Sequence, residues 1–209
     1  VVDDTQALGI LGHSPDAALP YGYDGGGSLR HCGLRSPRVL VLGSLAKGFG
    51  VPLAVLGGSR DAIAAVEQHS RTRVHCSPPS LPTLRAAAHA LTTNRRRGNA
   101  LRGVLARRVA HFHRRMGQAG FALRGGWFPS LSPVLPADTP AVDLHAALAA
   151  RGVHVLLQGG HETTRDALPQ LGFLLTARHT PTDIDQAVAA LHALCRPCLP
   201  QTVSPEFQP

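Results

Sequence analysis

Lysine is almost missing from this chain: of 21 lysines and arginines in 209 residues, Lys47 is the only lysine. Aromatic residues make up 4%, too few for a surface that stacks on exposed bases, and no zinc-finger spacing or other nucleic-acid motif occurs. Four cysteines do not make a disulfide scaffold. No apolar run approaches the roughly 20 residues that span a bilayer, and no charged-then-apolar leader opens the sequence. A soluble, cytoplasmic protein without membrane contact is therefore expected. What is present in quantity is apolar: 44% hydrophobic against 16% charged, enough to form one large or two small cores and too much for a disordered chain.

The net charge of +8 and the pairs and triplets Arg95-Arg96-Arg97, Arg107-Arg108 and Arg114-Arg115 raise the question of a nucleic-acid partner. Their spacing answers it differently. Leu101, Val104, Leu105, Val109, Phe112 and Met116 recur every three or four residues and form one apolar stripe, with the arginines and His111 mostly off it. The segment reads as a long amphipathic helix with a solvated basic face. Cys195-Arg196-Pro197-Cys198 has the C-x-x-C spacing of redox and zinc sites, but no second ligand pair accompanies it and it follows a helix instead of opening one, so neither zinc nor redox chemistry is assigned.

The single lysine lies in Gly43-Ser44-Leu45-Ala46-Lys47-Gly48-Phe49-Gly50, just after an apolar run. Arginine serves for solvation, ion pairs and phosphate contacts, but its guanidinium stays protonated and does not attack carbonyls. Only lysine offers an amine that forms a Schiff base. A chain that otherwise writes its cations as arginine marks this position out.

Strands and helices alternate along the first part. Val1-Val2 reads as the end of a strand, and 38–42 (RVLVL) and 53–56 (LAVL) as strands of the same sheet. The glycine-rich segment 21–33 between them lacks the strand-turn-helix context of a phosphate cradle and reads as a flexible loop. Helical patterning covers 60–69 and 82–93, and a separate helix runs from about 99 to 119, closed by Gly120. After Gly125-Gly126 the pattern restarts, with strands at 131–135, 153–157 and 173–176 and helices at 142–150 and 182–194. The tail from 196 onward, proline-rich and without periodicity, reads as extended or disordered. The expected division is 1–125, a small α+β domain at 126–195, and the tail at 196–209.

The stretches VVDDTQALGILG, VLVLGSLAKGFGVPLAVLGG, VHCSPPSLPTLRAAAHAL, LSPVLPAD, RGVHVL and TARHTPTDIDQAVAALHAL together resemble the C-terminal half of an α-oxoamine synthase. These are fold type I pyridoxal-phosphate enzymes related to 8-amino-7-oxononanoate synthase and 2-amino-3-ketobutyrate coenzyme A ligase. The resemblance runs in matching order to about Cys195. It implies an α/β fold comprising the C-terminal part of a large, mostly parallel sheet domain followed by a small α+β domain.

For function the resemblance implies a homodimeric transferase that condenses an amino acid with an acyl-CoA thioester, with loss of carbon dioxide. Lys47 falls where the family lysine joins pyridoxal 5'-phosphate. Asp3 falls where a carboxylate keeps the pyridine nitrogen protonated so that the ring withdraws electrons, with Asp4 next in register. Ser44 matches a hydroxyl that binds the cofactor phosphate, and Ser77 one that reaches it from the second subunit. Gln6 stands where the family has a histidine near the phenolic oxygen; it donates a hydrogen bond but does not titrate.

Two further departures accompany Gln6. The family arginine for the substrate carboxylate has no match in Gln170-Leu171-Gly172-Phe173-Leu174-Leu175, the nearest candidate, Arg165, being displaced. The 44-residue separation of Asp3 and Lys47 exceeds the family's, with 21–33 as the surplus. In the family a preceding half supplies a phosphate loop, a ring stacked on the cofactor and much of the sheet, so a fragment needing that half is expected. An aminotransferase or carbon–carbon lyase on the same fold, or a non-catalytic interaction module, are the alternatives.

Overall fold

The computed structural model describes residues 1–159 and 169–195. The chain packs as two units, one of residues 1–103 and one from Val104 onward. The division falls inside a helix, whereas the sequence pattern restarts only after Gly125-Gly126. Arg165, Cys198 and the 196–209 tail lie outside the described residues.

In the first unit, β1 (Val2–Asp3), β2 (Val41–Ser44) and β3 (Ala54–Gly57) form a three-stranded sheet in that order. β1 pairs parallel to β2, with Val2 opposite Val41 and Asp3 opposite Leu42, and β2 pairs antiparallel to β3. Short helices follow the strands: α1 (Ser28–His31), α2 (Leu45–Gly48), α3 (Arg60–His69) and α4 (Arg71–His75). Ser59 caps α3 by accepting the Ala62 N–H, which offsets one of the orphan donors at a helix start. The core here is small. Leu45, Val51 and Ala87 are buried, with Leu8, Phe49, Leu53 and Ala90 packed against them.

α5 (Leu81–Gln118) is one helix of 38 residues, where the sequence suggested two with a break near Asn94–Gly98. No break occurs because that polar stretch is held by tertiary contacts. Asn94 donates to the Asp24 carbonyl and accepts from Arg102, which also bonds Asn99 and the Gly9 carbonyl. A Cβ at Gly98 would lie 2.2 Å from Asn94 Oδ1, so glycine makes room for the Asn94 side chain. Arg102 is buried at 3% exposure, while Leu101 is exposed. This corrects the expected stripe at its first turn: Arg102, Leu105, Val109, Phe112 and Met116 share one face.

The glycine-rich segment 21–33 contains α1 and is pinned, not the free loop expected. Asp24 N–H donates to Asn99, the Tyr23 hydroxyl donates to Asp16, and Arg30 pairs with Asp24 at 3.0 Å. Tyr21 is buried, and its desolvated hydroxyl is held protonated well above the usual range.

The second unit contains β4 (Leu123–Arg124), β5 (Ser130–Pro133), β6 (Leu156–Gln158) and β7 (Gln170–Leu174) in an antiparallel sheet of order β4-β5-β7-β6. α6 (Ala141–Ala149) and α7 (Pro181–Leu194) accompany it. Val109, Phe112, Met116, Leu131, Leu148, Leu171 and Leu191 are fully buried, and Phe112 lies against Phe173 with ring centroids 5.2 Å apart. α7 opens with a complete capping box between Thr180 and Asp183 and a proline in its first turn. No described helix is long and apolar enough to cross a membrane.

Candidate functional site

Because β1 and β2 are parallel, both strands end on the same edge of the sheet. The segment Asp3-Asp4-Thr5-Gln6 leaves there from β1, and Ser44 to Lys47 leaves from β2. The Asp4 N–H donates to the Leu42 carbonyl at 2.7 Å and extends the ladder to that edge. Ser44 is the N-cap of α2, its Oγ accepting the Ala46 N–H at 3.2 Å. Leu45 turns inward at 2% exposure and anchors the short helix, while Lys47 is exposed.

The two adjacent aspartates have different surroundings. Asp4 is buried, and its carboxylate oxygens accept the Ser28 N–H at 3.1 Å each and the Ser28 hydroxyl. A Cβ on Gly27 would lie 1.8 Å from Asp4 Oδ2, and Gly27 has φ +94°, so only glycine fits there. Asp4 is thus committed to holding the start of α1. Asp3 is exposed, and its Oδ1 accepts the Thr5 N–H at 2.9 Å. Its carboxyl is held below the usual range, first by the Thr5 hydroxyl, then by the Thr5 backbone N–H, with the Lys47 charge adding a smaller pull in the same direction.

Thr5, which the sequence reading passed over, touches both strands: its Oγ1 also accepts the Ser44 N–H at 3.0 Å. The structure therefore brings Asp3, Ser44 and Lys47 to one edge, with Thr5 between two of them. Gln6 is exposed in the turn after β1, and Ser77 is exposed in the connection between α4 and α5. Neither makes a hydrogen bond to Asp3, Ser44 or Lys47. The position of Thr5 two residues past a strand-ending aspartate is a signal in retrospect, since a hydroxyl there reaches back to that carboxylate. Among the described residues no group of His, Cys, Asp and Glu could hold a metal ion.

In unit two, Asp185 on α7 accepts from Arg115 Nε at 2.7 Å and lies 2.8 Å from His111 Nε2. His111 and Arg115 therefore leave the proposed basic face to pair within their own unit. His113 lies against Trp127, and burial pushes its imidazole below the usual range.

No family model matches the chain. It is 34% identical over 199 residues to an 8-amino-7-oxononanoate synthase of Dechloromonas aromatica, which spans 93% of this chain and 47% of that protein. The 8-amino-7-oxononanoate synthase of Francisella tularensis superposes with a TM-score of 0.74 at 21% identity, over 92% of this chain and 53% of that one. A serine palmitoyltransferase with a pyridoxal-phosphate internal aldimine gives 0.71 at 22% identity, over 92% and 46%. The chain spans about half the length of the curated relatives it matches. By fold it corresponds to the C-terminal half of a fold type I pyridoxal-phosphate transferase, and by sequence it is a relative of 8-amino-7-oxononanoate synthase.

Proposed function

We propose that this chain supplies the lysine-bearing half of a pyridoxal-phosphate-dependent α-oxoamine synthase, joining an amino acid to an acyl-CoA thioester with loss of carbon dioxide. The observation that carries the reading is the meeting of Asp3, Ser44 and the chain's single lysine on one strand edge, in a protein whose relatives perform this chemistry. The donor set fits the cofactor. It offers one exposed primary amine for an aldehyde carbon, a carboxylate held ionised for a pyridinium proton, and a cap serine whose hydroxyl proton remains to donate to a phosphate.

When bound, pyridoxal phosphate supplies an electron sink for a carbanion at the amino acid's α-carbon. Lys47 would hold the cofactor covalently through Nζ, and its amine, once released, would carry the proton to and from the α-carbon. Asp3 would keep the ring nitrogen protonated, and Thr5 lowers the Asp3 carboxyl's proton affinity further. Gln6 would donate to the phenolic oxygen without titrating. Ser77 acts from the second subunit of a dimer. Leu81, Leu84 and Leu91, exposed along α5 beyond Ser77, support that assembly, because such a stripe is costly to leave in water. Acyl-CoA and free amino acids as substrates suit a cytoplasmic protein.

The test is a cofactor titration of the chain joined to a counterpart of the relatives' other half, following the visible band of the cofactor–lysine linkage. The band forms in the wild type and is lost in Lys47→Arg. An unchanged band in Lys47→Arg overturns the assignment.

A further inference from the structure

We propose that Thr5 is a positioning residue of this site: its hydroxyl ties the end of β1 to the end of β2, and its hydroxyl and backbone N–H together fix the Asp3 carboxylate. This deepens the proposed function and rests on the roles given there to Asp3 and Lys47. The geometry has two independent parts. Across the strands, Thr5 Oγ1 accepts the Ser44 N–H at 3.0 Å, past the last β1–β2 ladder pair of Asp3 and Leu42. Along the chain, the Thr5 N–H reaches back to Asp3 Oδ1 at 2.9 Å.

A threonine hydroxyl has one proton and two lone pairs. With a lone pair taken by Ser44, the hydroxyl keeps a proton that the neighbouring Asp3 carboxylate attracts, and the Thr5 hydroxyl is the first influence lowering that carboxyl's proton affinity. Asp3 is exposed, so water competes for it and packing does not fix its rotamer. Directed hydrogen bonds are what can hold it. Of the charged groups nearby, Lys47 acts on Asp3 in the same direction, and Asp4 is turned to Ser28. The same hydroxyl that orients the carboxylate for a ring nitrogen also sets the backbone of Ser44, whose side chain would meet the phosphate. One residue thereby fixes the distance between the two ends of the cofactor site.

The experiment uses the chain joined to its counterpart half, free of cofactor, with ¹³C-carboxyl aspartate, the Asp3 signal being assigned by its loss in Asp3→Asn. In Thr5→Val the Asp3 titration midpoint rises toward the ordinary carboxylate value, and the Ser44 amide exchanges roughly fivefold faster, as loss of one neutral hydrogen bond requires. Thr5→Ser restores both. Thr5→Ala serves in place of Thr5→Val should the valine methyl not fit, as judged by circular dichroism. An Asp3 midpoint unchanged in the hydroxyl-free variant, or unrestored in Thr5→Ser, overturns the proposal. Neither readout needs the cofactor. A Thr5 effect on Asp3 without cofactor attachment at Lys47 would therefore refute the proposed function alone, and attachment without a Thr5 effect would refute this inference alone.

Discussion

The two units of the chain solve the burial problem differently. The second has the larger enclosed core, with Val109, Phe112, Met116, Leu131, Leu148, Leu171 and Leu191 at no measurable exposure, while Leu156 and Leu157 on its terminal strand β6 stay exposed. The first leaves Leu42 on β2 and Val55 and Leu56 on β3 about 40% exposed, and every residue of β3 is exposed. Leu42 and Leu56 are cross-strand partners on one face and Val55 lies on the other, so neither face is fully covered and the sheet falls short of what makes strands stable, two covered faces or one covered and one polar. The candidate site lies on the edge of that open sheet. The second unit holds the larger enclosed core, and the first holds the smaller core and the candidate site. On the proposed function, the additional chain that the relatives carry is expected to cover this sheet.

The comparison is sharpened most by truncating the closed core. Leu148→Ala removes a fully buried side chain from α6 and should cost about 3 kcal/mol in denaturant unfolding, whereas Leu56→Ala on the open face should cost under ~0.5 kcal/mol. Equal costs would break the distinction. Asp3→Asn tests the opposite pairing. With Asp3 exposed, its loss should leave stability within ~0.5 kcal/mol yet lower turnover of the completed enzyme roughly a hundredfold, because the charge at the ring nitrogen is gone while Lys47 attachment persists. Unchanged turnover would remove Asp3 from the site.

Smaller effects belong to the ends of α7. Thr180→Ala removes the hydroxyl that accepts the Asp183 N–H, leaving the Thr180 N–H bond to the Asp183 carboxylate, and should destabilise the second unit by about 1 kcal/mol. Acid acts on the same element. The Asp183 carboxyl is held below its ordinary value by the Thr180 backbone N–H and then its hydroxyl, and Asp185 by His111 and then Arg115. A carboxyl lowered in the folded state stabilises fully above the unfolded value near ~4 and loses that contribution as pH falls through the folded value. Unfolding of the second unit should ease below about pH 4, and less so in Asp183→Asn; a pH-independent midpoint would contradict this.

Much of the element order was legible in the residues, because helices with three- and four-residue apolar spacing and strands bounded by glycine and proline carry their signal locally. α3, α6 and α7 fall within a residue or two of their expected ends. Asn94 to Gly98 misled because its helix is held by bonds to Asp24 and Arg102, partners distant in sequence or set by tertiary packing. Arg102 could have been found: it shares the Leu105, Val109, Phe112 and Met116 register, and a buried arginine there needed amide and carbonyl partners that periodicity does not display. At the site, Lys47 stood out by being alone. The choice between Asp3 and Asp4 needed the Ser28 contact, and Thr5 needed the parallel register of β1 and β2. Neither is written in any short window.

The most direct measurement is borohydride reduction in the presence of pyridoxal phosphate, followed by peptide mapping, on the 209-residue chain and on the chain joined to its counterpart half. This chain has one lysine, so label on its own peptides maps to Lys47 or, in the 209-residue protein, to the terminal amine. If Lys47 sits on the edge of a site awaiting completion, the joined protein labels fully at Lys47 at low cofactor concentration, and the chain alone labels weakly. Label at the N-terminus only, or a chain that saturates at Lys47 as tightly alone as when joined, would contradict that account of the open unit.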